Sequence, residues 1–141
     1  MKTKNASEIV TAVKGLVARF PSAVYEKSGR GSCGNTTGSV IVDGETVMTG
    51  CVVGCAVTQC EGEDSGTYQW MQDNDNWTAG ETLRGIKLAT IDNDDLIWLC
   101  AMQEAQDAGR DWQAASDKAD EELENFHACD KHEQAEYLVD L

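Results

Sequence analysis

Ahead of three predicted helices a side chain able to cap a helix is followed, three residues on, by a glutamate: Asn5 and Glu8, Thr78 and Glu81, Asp130 and Glu133. In such a pair the first side chain accepts from the backbone N–H three residues ahead and the glutamate reaches back. Two of the donors left over at a helix start are then satisfied locally. The pairs divide the chain into helices before any tertiary contact is considered. Behind the first, Ile9, Val10, Val13, Leu16, Val17 and Phe20 recur at the spacing of one helical face, and Pro21, the chain's one proline, forbids another turn.

Between Pro21 and Thr78 the pattern changes. Ala23-Val24-Tyr25 reads as a short strand, and the Gly/Ser/Thr/Asn-rich stretch from Ser28 to Ser39 as a loop. Asp43-Gly44, flanked by Val40-Ile41-Val42 and Glu45-Thr46-Val47-Met48, supplies the positive φ values of a tight hairpin turn. Cys51 to Cys60 is apolar or small on nearly all sides and so buried. Its period does not separate strand from helix, a buried helix being the favoured reading, with Glu61 to Asn76 as a polar connection. A helix of about three turns follows Thr78.

Another should run from Asp94 to Asp107, with Ile97, Cys100, Ala101 and Ala105 inward and Gly109 as its stop. Asp111 caps a helix carrying Trp112, Ala115, Ala119, Leu123 and Phe126, and Asp130 a last one. The fold class predicted is α+β: mainly helical, four to five helices, with a small N-terminal β-hairpin or short antiparallel sheet. At 141 residues one domain is expected. Residues 1–60 form a helix, hairpin and Cys-rich scaffold, and residues 61–141 an acidic helical half.

Charge follows that division. Residues 1–60 hold six Lys/Arg and four Asp/Glu, a net +2, whereas residues 61–141 hold five and twenty-one, a net -16. A chain of net charge -14 releases no counterions from phosphates, which argues against direct binding to nucleic acid and to anionic membrane surfaces. No apolar run approaches the ~20 residues of a membrane span, and MKTKNASEIV lacks the apolar core of a signal peptide. The cytoplasm is the expected location, and Cys33, Cys51, Cys55, Cys60, Cys100 and Cys129 are expected to remain thiols there.

Several motifs have a bland explanation that outweighs the chemical one. Gly29-Arg-Gly-Ser-Cys-Gly34 matches G-x-G-x-x-G, but a strand rather than a phosphate-binding helix follows it. Asp73-Asn-Asp75-Asn and Asp92-Asn-Asp94-Asp lack the glycine and glutamate of a calcium loop and read as helix caps. The cysteines, and His127-x-Cys129-x-x-His132, lack the close pairing with which zinc sites usually begin. No catalytic residue, metal ligand or cofactor is predicted. Trp98 and Trp112 lie on helices as core or interface anchors, whereas Trp70 and Trp77 stand in polar surroundings where a partner could use them.

Two segments carry a likeness. Cys51-Val-Val-Gly-Cys-Ala-Val, and Gln103 to Ala115 with its Gln106-Asp-Ala-Gly-Arg-Asp-Trp112, resemble small proteins of actinobacterial phages and their hosts. The resemblance covers about residues 10–123; Cys55 and the long stretch from Glu61 to Trp77 depart from the pattern. It implies a phage or mobile-element accessory protein and no reaction. The expected function is therefore non-enzymatic: binding and modulating a host protein. The alternatives are an acidic nucleic-acid mimic that inhibits a DNA- or RNA-binding defence protein, and a small zinc or thiol protein. The partner-binding residues expected are Trp70, Trp77, Asp94, Asp95, Asp117, Asp120, Glu121 and Glu124.

Overall fold

A computed structural model describes residues 5–27, 34, 36–62, 66–74, 78–86, 88, 91–139 and 141. Gly29 to Cys33 of the G-x-G-x-x-G segment, Asp75 and Trp77 lie outside the described residues. Helix α1 (Ala6–Arg19) begins where its capping pair predicts, with Glu8 N–H donating to Asn5 Oδ1 at 3.3 Å. Its apolar stripe is buried as spaced, and Phe20 N–H closes on Leu16 O at 2.8 Å before Pro21 turns the chain.

Three antiparallel strands follow in the order β1 (Val24–Glu26), β2 (Ser39–Val42) and β3 (Glu45–Thr49). The β2–β3 turn places Asp43 at φ 51° and Gly44 at φ 81°, the two positive values that Asp-Gly accommodates. Val40 pairs with Met48 and Ile41 with Thr46, so Val47 bulges out of register and is 39 % exposed. Tyr25 and Val40 point into the core.

The Tyr25 hydroxyl organises the loop between β1 and β2. It accepts from Gly34 N–H at 2.9 Å and donates to Thr37 O at 2.9 Å. Gly38, at φ 83°, lies so close to that ring and to Glu26 O that a Cβ there would overlap both.

The helices after the sheet are α2 (Val52–Glu61), α3 (Gly66–Asp73), α4 (Ala79–Gly85), α5 (Asn93–Asp107), α6 (Trp112–Ala128) and α7 (Lys131–Val139). With α1 that makes seven among the described residues, against the four to five expected. The stretch read as a polar connection contains α3, which buries only Thr67 and Met71. Two inward residues four apart are too few to register as an apolar stripe. The Thr78 capping box is complete in both directions, but α4 runs seven residues, short of three turns.

Helix α5 departs most from its expected face. Ile97 and Ala105 are buried as predicted and Cys100 and Ala101 are half-buried, yet Leu96, Trp98, Leu99, Met102, Gln103 and Gln106 are buried as well. The cause is position: α5 packs against α1, α2, α4, α6 and β1 and is covered on most sides. No helix among the described residues is long and apolar enough to cross a membrane.

Two faces of the α5–α6 hairpin as a candidate functional site

Helices α5 and α6 form an antiparallel pair because their connection is tightly specified. Gly109 takes φ 97° after the last turn of α5, and Asp111 Oδ1 accepts from Ala114 N–H at 2.8 Å to start α6. Trp112 N–H then donates to Ala23 O at 2.8 Å and Gln113 N–H to Pro21 O at 2.9 Å, which fixes the start of α6 against the entry to β1.

The segments Cys51 to Val57 and Gln103 to Ala115 meet here. Cys51 occupies the N-cap position of α2 but makes no side-chain cap. The missing acceptors come from α5, where Gln106 Oε1 accepts from Val52 N–H at 2.7 Å and Gln103 Oε1 from Val53 N–H at 3.3 Å. Gln106 Oε1 also accepts from Trp112 Nε1–H at 3.3 Å, and its Nε2 donates to Asp107 Oδ1 at 2.7 Å. Gln106 and Trp112 are both completely buried. The residues that look like a signature in these two segments are thus occupied with holding α2, α5 and α6 together.

One face of the hairpin is acidic. Asp117, Asp120 and Glu124 fall three and four residues apart on α6, so they share a ridge, and all three are exposed. Helix α5 joins it where His127 Nε2 meets Asp94 Oδ2 at 2.9 Å and Trp98 Nε1–H donates to Asp120 Oδ1 at 2.8 Å. Glu121 is also exposed and pairs with Lys118 at 3.4 Å. Asp95 is half-buried; burial raises its pKa, the carboxylates of Asp92 and Asp94 add to that, and Lys14 opposes them. Lys14 itself lies 5.2 Å from the centroid of the Trp98 ring.

Of the eight predicted partner-binding residues, Asp94, Asp117, Asp120, Glu121 and Glu124 are exposed on this hairpin, with Asp95 partly covered beside them. Trp70 is elsewhere and half-buried, its indole so close against Gly85 that no Cβ would fit between them. The contribution of Lys14 from α1 was not foreseen, because nothing local in the sequence pairs residue 14 with residue 98.

The other face holds a cavity of about 410 Å³ between α5, α6 and α7. Its floor is apolar, from Ile97, Ala101, Ala105 and Ala108. Glu104, Arg110, Lys118, Glu122 and Tyr137 supply the polar part. Glu122 Oε1 pairs with Lys118 at 3.2 Å, and its Oε2 accepts a short hydrogen bond from the Tyr137 hydroxyl. That bond and Lys118 hold the Glu122 carboxyl below the usual range, while burial and the Glu122 carboxylate push the Tyr137 phenol up to about 12.

Since folding raises the Tyr137 pKa, the bond contributes fully below the ordinary tyrosine value of about 10. The contribution is lost as pH climbs through the folded value of about 12. A near-ultraviolet titration should therefore show a late phenol that Tyr137→Phe abolishes. An unaltered profile in that variant would assign the late ionisation elsewhere.

Three of the thiols, Cys55, Cys100 and Cys129, are held away from the nucleophilic thiolate form. Burial pushes Cys55 up to about 12 and Cys100 up to about 11, and Cys129 is raised by burial and by Glu133 and Asp130. The H-x-C-x-x-H residues diverge: His127 pairs with Asp94, His132 with Glu136 at 3.1 Å, and Cys129 Sγ faces Asn125 O. Among the described residues no group of three His, Cys, Asp or Glu is placed to hold a metal ion. No family model, no curated protein and no solved structure matches the chain.

Proposed function

We propose that this chain is a non-enzymatic accessory protein of phage or mobile-element origin that binds and modulates a host protein in the cytoplasm. Its docking face is the acidic ridge of α6 with Asp94. The setting rests on the resemblance of the two segments. The observation that supports the docking face is the alignment of Asp117, Asp120 and Glu124 on one exposed ridge of a helical hairpin. Carboxylates presented this way meet a basic surface without first ordering a loop. The net -16 of residues 61–141 supports a narrower version, in which the basic surface normally holds nucleic acid and the ridge stands in for phosphates.

The test compares wild type with a variant carrying Asp94→Asn, Asp117→Asn, Asp120→Asn and Glu124→Gln in affinity capture from an actinobacterial lysate. Asn at 120 keeps an oxygen for the Trp98 indole, so the hairpin is preserved. The expected result is a partner that wild type retains, that the variant loses and that added salt releases. Capture that is identical for both proteins, or indifferent to salt, would reject the ridge. Displacement of the captured partner by duplex DNA or RNA selects the mimic.

A further inference from the structure

The cavity on the other face of the hairpin carries a charge pattern that its own residues leave incomplete. Glu122 has both oxygens engaged, one by Lys118 and one by Tyr137, and Lys118 is shared with Glu121, so these groups already have partners. Glu104 and Arg110, at the rim, make no ion pair among the described residues, and both are exposed. The charge of Glu104 is felt inside the cavity, since it adds to the rise in the Tyr137 pKa. With Glu104 as an anion and Arg110 as a cation outside any ion pair among the described residues, and an apolar lining of Ile97, Ala101, Ala105, Ala108 and Leu141, the site is complementary to a zwitterion with a hydrocarbon tail.

We propose that the cavity between α5, α6 and α7 binds a small zwitterion of this kind, a free α-amino acid with an apolar side chain. Arg110 takes the carboxylate through its planar fork of N–H donors, Glu104 takes the ammonium, and the side chain lies on the alanine-rich floor. A volume of about 410 Å³ is within the range of small-molecule sites. The two proposed contacts, Glu104 and Arg110, are not residues of the acidic ridge, whose Asp120 bonds the Trp98 indole that Lys14 covers.

The experiment titrates L-leucine, L-leucine methyl ester, N-acetyl-L-leucine and 3-methylbutanol into the full chain and follows backbone amide shifts. L-leucine should give saturable shifts at Ala101, Ala105, Ala108 and Tyr137. The two blocked derivatives and the alcohol should bind about tenfold or more weakly, the loss expected when a charge-assisted contact disappears.

In Arg110→Gln the preference for L-leucine over its methyl ester should vanish, and in Glu104→Gln the preference over the N-acetyl derivative. Both substitutions lie on the exposed rim, so folding is not at stake. The proposal is overturned if L-leucine produces no saturable shifts in the cavity. It is equally overturned if 3-methylbutanol binds as well, which marks a simple apolar hollow, or if the variants keep both preferences.

Discussion

Gln106→Ala is expected to lower stability by about 2 to 5 kcal/mol. The side chain is fully buried, and its one oxygen serves two donors, Val52 N–H at 2.7 Å and the Trp112 indole at 3.3 Å. Removing it strands both donors away from water at about 1 to 3 kcal/mol each, and truncation adds a void. Gln103→Ala removes only the longer bond to Val53 N–H, at 3.3 Å, and should cost clearly less. Urea denaturation of the two variants measures both effects as shifts in midpoint at constant slope. Equal, small losses would mean that water replaces the glutamine oxygens at the start of α2.

Gly38→Ala should be nearly as damaging, for a different reason. The position combines φ 83°, which L-residues with a Cβ rarely adopt, with a site where that Cβ would collide with the Tyr25 ring and with Glu26 O. Backbone at Glu26 has little room to retreat because it pairs with Ser39 in the sheet. Relief must come from Tyr25, whose displacement forfeits its hydrogen bonds to Gly34 and Thr37 and uncovers a buried ring. Strain, lost bonds and exposed aromatic area together come to about 3 kcal/mol or more. Tyr25→Phe in the same background is diagnostic. If the clash with the hydroxyl dominates, the double variant should be more stable than the sum of the two single losses implies.

The parts of this fold that were readable in the sequence are those whose cause is local. A cap and the donor it satisfies are three residues apart, so Asn5, Thr78, Asp111 and Asp130 each begin a helix where expected. Asp43-Gly44 turns its hairpin for the same reason. Helix α3 was missed because it faces the core with so few side chains. The Gln106 network was missed because its donors are 54 residues away from it in sequence at α2 and six residues away at Trp112. One signal was present: two glutamines three apart among leucine, methionine and alanine, which, once buried, must find partners.

The candidate site shows the same division. The ridge of Asp117, Asp120 and Glu124 follows from helical spacing alone, and so could be named in advance. The meeting of Asp94 with His127, and of Trp98 with Asp120 and Lys14, depends on how three helices pack. Trp70 in a polar stretch looked available to a partner, but a bare glycine on the neighbouring helix gives its ring a place to lie. The cavity left no trace in the sequence because its polar groups come from α5, the turn after it, α6 and α7.

A helix whose first turn is completed by a side chain from far downstream cannot be finished early in synthesis. While the chain grows at about 5 to 20 residues per second, α2 waits for Gln106 for roughly 3 to 10 seconds after Val52 is made. During that interval the apolar segment from Val52 to Val57 has α1 to pack against but lacks α5. The order of manufacture is thus written into the structure, with the N-terminal scaffold left provisional until the acidic half arrives to close it.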